Sequence, residues 1–364
     1  MKGIFALVVI ALLLMPQACA VRGEGCAENA AAINQSTIVH YPGQTWEKAE
    51  SPEQLDWSSE KLSLARQYAD SIGSAAVMIV VDGRVLAEWG ETARRFNVHS
   101  IRKSLLSALY GIYVKEGKIN LQSTMAELGI DDNAPSLKAE EERARVIDLL
   151  MARSGIYHAA VYETAAAQAS RPQRGSHAPG TFLYYNNWDY NALGTIFEKT
   201  TGRKIFEAFQ QRLAEPLQME DYRLADSEYF RGPESEHPAY LFRLTARDLA
   251  RFGLLFLRQG KWRKEQIVPQ EWVAESTRAH AIPEGTSGYG YMWWVEINGK
   301  PFPALKDGAF MCMGAGEHLL LVAPDVQLVL VHRVNTDARG SAVTNAQLAN
   351  LVKLIVEAKT DSNK

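Results

Sequence analysis

Ile101, Leu105, Ala108, Leu109 and Ile112 recur three and four residues apart, the spacing that puts side chains on one face of a helix. Small Ser104, Ser107 and Gly111 lie between them, as a closely packed internal helix needs. Leu62, Leu64, Ala65 and Tyr68 predict an earlier helix near residues 60–71, with Asp56 or Ser58 as its N-cap. Leu348, Leu351, Leu354 and Ile355 predict a closing helix. Two strand-like runs, 75–81 and 84–89, are joined by Asp82-Gly83, a strong hairpin signal. Three more strand candidates come only near the end, at 291–297, 318–322 and 326–334. The middle, from 100 to about 277, is mainly helical by pattern. Strands from both ends of the chain therefore join in one antiparallel sheet flanked by the terminal helices, with a mainly helical region inserted between them. That is an α+β arrangement, one compact unit in which 52–99 and 285–360 form the sheet region and 100–284 the helical one. Residues 21–51 read as a loose lead-in.

Composition changes this picture little. About 47% of residues are apolar, enough for a large core, and there is no repeat or low-complexity tract. The amino terminus adds a location. Lys2, the apolar run 4–15 and then Ala18-Cys19-Ala20 have the three parts of a secretory signal, and the run is too short for the roughly twenty residues of a membrane span. Cleavage after Ala20 and release into the periplasm or medium are expected. Attachment of a lipid at Cys19 is the less favoured alternative, because Pro16-Gln17-Ala18 is a poor lead-in for it. The cut removes Lys2 and no acid, so a net charge of −3 becomes −4, with nothing in it to attract nucleic acid or an anionic membrane surface. Cys26 and Cys312 stand too far apart in the chain to make a disulfide framework.

The chemistry centres on Ser100-Ile-Arg-Lys103. Three residues apart at a helix start, a hydroxyl and an amine share a face, and the amine can reach the serine oxygen. The same helix aims its free N–H groups and positive dipole end at that oxygen and at an oxyanion formed beside it. Spacing alone is weak evidence, and Ser58-Ser-Glu-Lys61 is a second copy that reads simply as a helix start. Ser100 differs in having partners. A Pro179-Gly180 turn leads through a polar aromatic loop, with Tyr185 and Asn187, into a helix that ends near Thr201-Gly202. From such a loop the phenol can relay a proton, while the amide fixes an ammonium or bonds a substrate carbonyl. No Gly-x-Ser-x-Gly, His-Glu-x-x-His, Cys-x-x-Cys or Walker-type loop is present, so neither metal nor cofactor is expected.

These motifs, in this order, resemble the serine β-lactamase-like hydrolases, most closely the class C branch of β-lactamases, D-amino-acid peptidases and carboxylesterases. The resemblance runs from about Ser58 to about Leu354 and takes in 146–155, 244–253 and 287–294 as further landmarks. It implies the β-lactamase-like, penicillin-binding-protein-like transpeptidase fold. The nine-residue step from Tyr185 to Gly194 is the family's, which favours Tyr185 and Asn187 over the alternative register of Tyr184 and Asn186. By resemblance, the N–H of Ala315, after Gly314, pairs with that of Ser100 as an oxyanion hole. Tyr157 and His158, beside one landmark, are candidates for the cleft. The chain departs from the family at its third motif: Cys312 occupies the position of a cation that helps hold a substrate carboxylate. His318 and Arg333 are the replacement candidates, each more simply read as a structural strand residue. The expected chemistry is acylation of Ser100, with Lys103 and Tyr185 acting as one coupled base. The sequence leaves open which of the two holds the proton. The expected partner is a small ester or amide. A β-lactam or peptidoglycan fragment is the narrower variant, and a catalytically weak cleft-binding relative is the alternative from another class.

Overall fold

The computed structural model describes residues 39–283, 285–338 and 342–360. The expected signal segment, Cys19 and Cys26 lie outside them. Helix α1 (Ser59–Ser71) starts at Ser58, whose Oγ accepts from Lys61 N–H at 3.3 Å, so this Ser-x-x-Lys copy is a helix cap. Leu62, Ala65 and Ala69 are buried, whereas Leu64, expected on the same face, is exposed. Strands β1 (Ala76–Val81) and β2 (Arg84–Gly90) follow, turned by Asp82 and Gly83 at φ 47° and 77°, both left-handed as a tight hairpin requires.

The remaining sheet strands come from the far end of the chain: β3 (Gly288–Tyr289), β4 (Trp294–Val295), β5 (Phe310–Gly314), β6 (His318–Ala323) and β7 (Leu328–Arg333). The order is β2-β1-β7-β6-β5-β4-β3, antiparallel at every pairing, so the two ends of the chain meet at β1 and β7. Of the strand expected at 291–297 only Trp294–Val295 forms, and its partner Gly288–Tyr289 lies before that run. Met292 takes a left-handed φ of 64°, and Gly290 N–H bonds Trp293 O, closing a turn inside the run.

Alternation along the strands divides the core. Val77, Ile79, Leu319, Leu321 and Leu330 face α1 and the closing helix α5 (Asn345–Val356). Met78, Val80, Leu320, Val322 and Val331 face the inserted region. Both faces of the sheet are thus covered. The face toward the insertion meets α2 (Ile101–Lys115) and α4 (Ala246–Leu257). Residues 39–50, part of the segment expected to be loose, run along α4. Trp46 Nε1 bonds Arg247 O at 3.2 Å, and Arg251 reaches the carbonyls of Gly43 and Gln44, each at 3.0 Å. The insertion is helical as its pattern predicts, but it also holds the hairpin Glu228–Gly232 with Ser235–Leu241. No helix among the described residues is long and apolar enough to cross a membrane.

Helix α2 is buried from Ile101 to Tyr113. Its serines bond carbonyls of the neighbouring chain, Ser104 to Met292 at 2.7 Å and Ser107 to Tyr291 at 2.8 Å, which satisfies them in the interior. Gly111 lets the ring of Trp272 approach: a Cβ there would lie 2.3 Å from Cγ of that ring. Gly111→Ala should therefore lower stability by about 1–3 kcal/mol in urea unfolding, overpacking outweighing the gain in helix propensity. A more stable variant would contradict the close packing.

Candidate active site

A short turn carries Ser100 into α2. His99 there has φ 48°, a left-handed conformation, and its N–H is held by Asn97 Oδ1 at 2.9 Å. The His99 ring is fixed from two sides, Nε2 at 2.8 Å from Thr336 Oγ1 and Nδ1 at 3.1 Å from Tyr162 OH. Burial, with Arg333 nearby, lowers its pKa to about 4, so the ring is neutral. Ser100 is the N-cap residue of α2 and remains partly exposed.

One turn onward, Lys103 is 1% exposed. Its Nζ lies 3.0 Å from Ser100 Oγ, 2.7 Å from Tyr185 OH and 2.8 Å from Asn187 Oδ1. The structure therefore brings together the serine, amine, phenol and amide, and selects between the two registers. Tyr184 points away to Ala167 O at 2.7 Å, and Asn186 caps helix α3 (Asn187–Thr201) through Trp188 N–H at 3.2 Å. Burial lowers the Lys103 pKa well below the ordinary amine range, and Arg102 adds to it. Burial pushes Tyr185 up to about 12, against a hydrogen bond from Ser100 and the Arg102 charge. Both directions favour a neutral amine beside a neutral phenol.

Aromatic rings that the motifs did not reveal complete the enclosure. Lys103 Nζ sits 4.0 Å from the Tyr185 ring centre and 4.3 Å from that of Tyr190. Trp294 stacks on Tyr185 at 5.4 Å, and Tyr190 OH lies 2.8 Å from Tyr289 OH. Tyr190 could have been found from its place three residues after Asn187, on the same helical face. Trp294 and Tyr289 come from the distant strands β4 and β3, and no local spacing announces them.

The third motif lies on β5. Gly314 is packed against the serine turn: a Cβ there would be 2.6 Å from Val98 O and 3.1 Å from His99 Cβ. Only glycine lets the end of β5 come this close to Ser100. Ala315 follows, exposed, at the start of the turn to β6. Cys312 is 2% exposed, belongs to the core beneath α2, and burial pushes its thiol up to about 12, so it is a neutral packing residue. Neither replacement candidate is available as a cation for a ligand. Arg333 is fully buried, bonded to His318 Nδ1 at 2.8 Å and to the carbonyls of Phe96, Asn97 and Leu244. His318 accepts that bond and is held neutral by burial and by Arg333. Tyr157 and His158 do not join the cluster. Tyr157 OH lies 3.0 Å from His177 Nδ1, and His158 packs on Trp188 with Nε2 4.0 Å from Glu141. Among the described residues no group of His, Cys, Asp or Glu could hold a metal ion.

Solved structures share this fold at low identity. A Bacillus anthracis protein provisionally assigned as a 6-aminohexanoate-dimer hydrolase aligns with a TM-score of 0.62 and 19% identity, over 88% of this chain and 89% of that one. A β-lactamase from Mycobacterium bovis aligns at 0.58 and 20%, over 81% and 97%. An octameric penicillin-binding protein homologue from Pyrococcus abyssi aligns at 0.60 and 18%, over 83% and 77%. The family model described as Beta-lactamase matches residues 63–353. With that match spanning most of its length, and the fold shared with these proteins, the chain belongs to the β-lactamase family of hydrolases.

Proposed function

We propose that this chain is an exported serine hydrolase that forms an acyl-enzyme on Ser100 and cleaves small, uncharged esters or amides. The observation that carries this reading is the position of Lys103 Nζ, within hydrogen-bond reach of Ser100, Tyr185 and Asn187 at once. Asn187 Oδ1 can only accept, so the amine donates to it. A neutral amine donates its second hydrogen to Tyr185 and has one lone pair left, which receives the Ser100 proton as Oγ attacks the carbonyl. Tyr185 OH then relays a proton toward the leaving group. The same base activates water for release of the acid. The N–H groups of Ser100 and Ala315 serve as oxyanion donors, supported by the contact of Gly314 with the serine turn.

The preference for uncharged substrates rests on position 312. A buried neutral thiol there offers nothing to a substrate carboxylate, and Arg333 and His318 are consumed by structure. Family membership favours a second reading, in which a β-lactam or a D-amino-acid peptide is the substrate and its carboxylate is held by another group.

A fluorophosphonate should label Ser100, located by peptide mass mapping, and Lys103→Met should slow labelling by about a hundredfold or more. p-Nitrophenyl acetate should turn over and a chromogenic cephalosporin should not; the reverse pattern restores the β-lactamase reading. Label on another residue, or none, defeats the acyl-enzyme. Gly314→Ala should lower kcat on the ester by about 10²–10³, since β5 must retreat from the serine turn, and should also cost about 1–3 kcal/mol in urea unfolding, because the added methyl meets the backbone oxygen of Val98. A kcat near wild type would remove Ala315 from the oxyanion site.

A further inference from the structure

We propose that Arg102 is a positioning residue: a buried guanidinium with no counter-charge, whose field keeps the neighbouring Lys103 as a free amine. This rests on the reading of Lys103 as the base.

Arg102 is 1% exposed, yet no carboxylate pairs with it among the described residues. Its Nη2 bonds the neutral amide of Asn191 at 2.9 Å, and its guanidinium lies 4.4 Å from the centre of the Tyr240 ring. Nε and Nη1 have no hydrogen-bond partner there. Lys103 is held the same way, by the amide of Asn187. Asn187 and Asn191 stand one turn apart on α3, so two adjacent residues of α2 are caught by two amides on neighbouring turns. A guanidinium keeps its charge when buried, whereas an amine can give up its proton. Of two cations confined side by side, Lys103 is the one that yields. Burial is the larger cause of its lowered pKa, and Arg102 is the second.

The groups packed around the pair leave that field uncancelled. Tyr185, Tyr190, Tyr240 and Tyr289 all have pKa values raised by burial and stay neutral. On the sheet side, the Cys312 thiol is pushed up to about 12 and is neutral too. His99, before the helix, is neutral at pH 7. Of the two carboxyls on α3, Glu198 pairs with Lys204 at 2.7 Å, and Asp189 turns to Ser154 at 2.6 Å and Asn186 at 2.8 Å, where burial raises its pKa well above the ordinary range. Arg333 adds only further positive charge. The cation missing at position 312 thus has a counterpart at 102, buried where it can tune the base but cannot hold a substrate.

The test uses the full mature protein carrying ε-¹³C lysine, with the Lys103 resonance assigned from a Lys103→Arg difference spectrum. Lys103 should titrate below the other lysines. In Arg102→Met its midpoint should rise by about one to two pH units, a ten- to hundredfold loss of free amine at a given pH. Arg102→Lys, whose amine can itself give up its proton at this buried position, should also raise the midpoint, by no more than Arg102→Met does. Asn191→Asp keeps the arginine but gives it a partner, and should also raise the midpoint; it serves if Arg102→Met does not fold. The acidic limb of kcat/KM on p-nitrophenyl acetate should move to higher pH in step, because a higher pKa leaves the base protonated further up the scale. An unmoved Lys103 midpoint in the folded variants overturns the proposal and leaves Arg102 as a structural tie between α2 and α3. A moved midpoint in a protein with no ester turnover and no Ser100 labelling supports the electrostatic role while removing the hydrolase reading.

Discussion

The site depends on an amine removed from water with no acid among the described residues to neutralise it. An ammonium in that position, among Tyr185, Tyr190 and the amide of Asn187, would carry a desolvation penalty that no carboxylate of the described residues repays. The group escapes the penalty by giving up its proton, and with it gains the lone pair that a base needs. Burial that would be a defect elsewhere in a core is what suits Lys103 to the proposed role of base. Ser100 is the complement: one turn away, at the helix end, it stays partly exposed. A helix start at the edge of a covered core provides both conditions within four residues.

The rest of the fold holds that arrangement still. Helix α2 is gripped on all sides, by serine to carbonyl bonds, by Trp272 against Gly111, and by Tyr110 OH on Leu193 O at 2.7 Å. The turn before it is fixed by a run of bonds through Tyr162, His99 and Thr336. Arg333 reaches from β7 to the carbonyls of Phe96 and Asn97, so the sheet itself braces the approach to Ser100. A buried arginine spent on backbone carbonyls is poorly suited to greet a ligand, in keeping with its simpler reading as a structural strand residue.

Much of this was legible from spacing. The Asp-Gly hairpin, the terminal helices and the helical run of α2 each follow from local pattern, and the pairing of Ser100 with Lys103 follows from one turn of helix. Tyr185 and Asn187 needed the resemblance to choose their register, and the geometry selects the same pair. What stayed hidden did so for identifiable reasons. In the hairpin of 228–241 the inward positions include Ser235 and His237, polar residues satisfied by Asp132 and Thr195, so no alternation of apolar side chains marks the strand. The break in 291–297 depends on a left-handed methionine that no residue preference signals. His158, next to a family landmark, proved to pack on Trp188, because adjacency in sequence does not say which way a loop residue faces.

The charges within the pocket connect its two departures from expectation. The third-motif position where the resemblance led to the expectation of a cation is a thiol sealed beneath α2, and the positive charge stands at 102, next to the lysine. A charge facing the cleft attracts an anionic substrate as well as depressing a neighbouring amine. One behind the amine, at 1% exposure, does only the second. On the proposed reading, tuning of the base and recognition of a carboxylate are therefore separable, and this chain would keep the first without the second. On that reading the site would select against charge in its ligand by omission. A carboxylate entering it would lose its hydration and find no donor pair in return, whereas an uncharged ester surrenders little water and meets only the oxyanion N–H groups it needs.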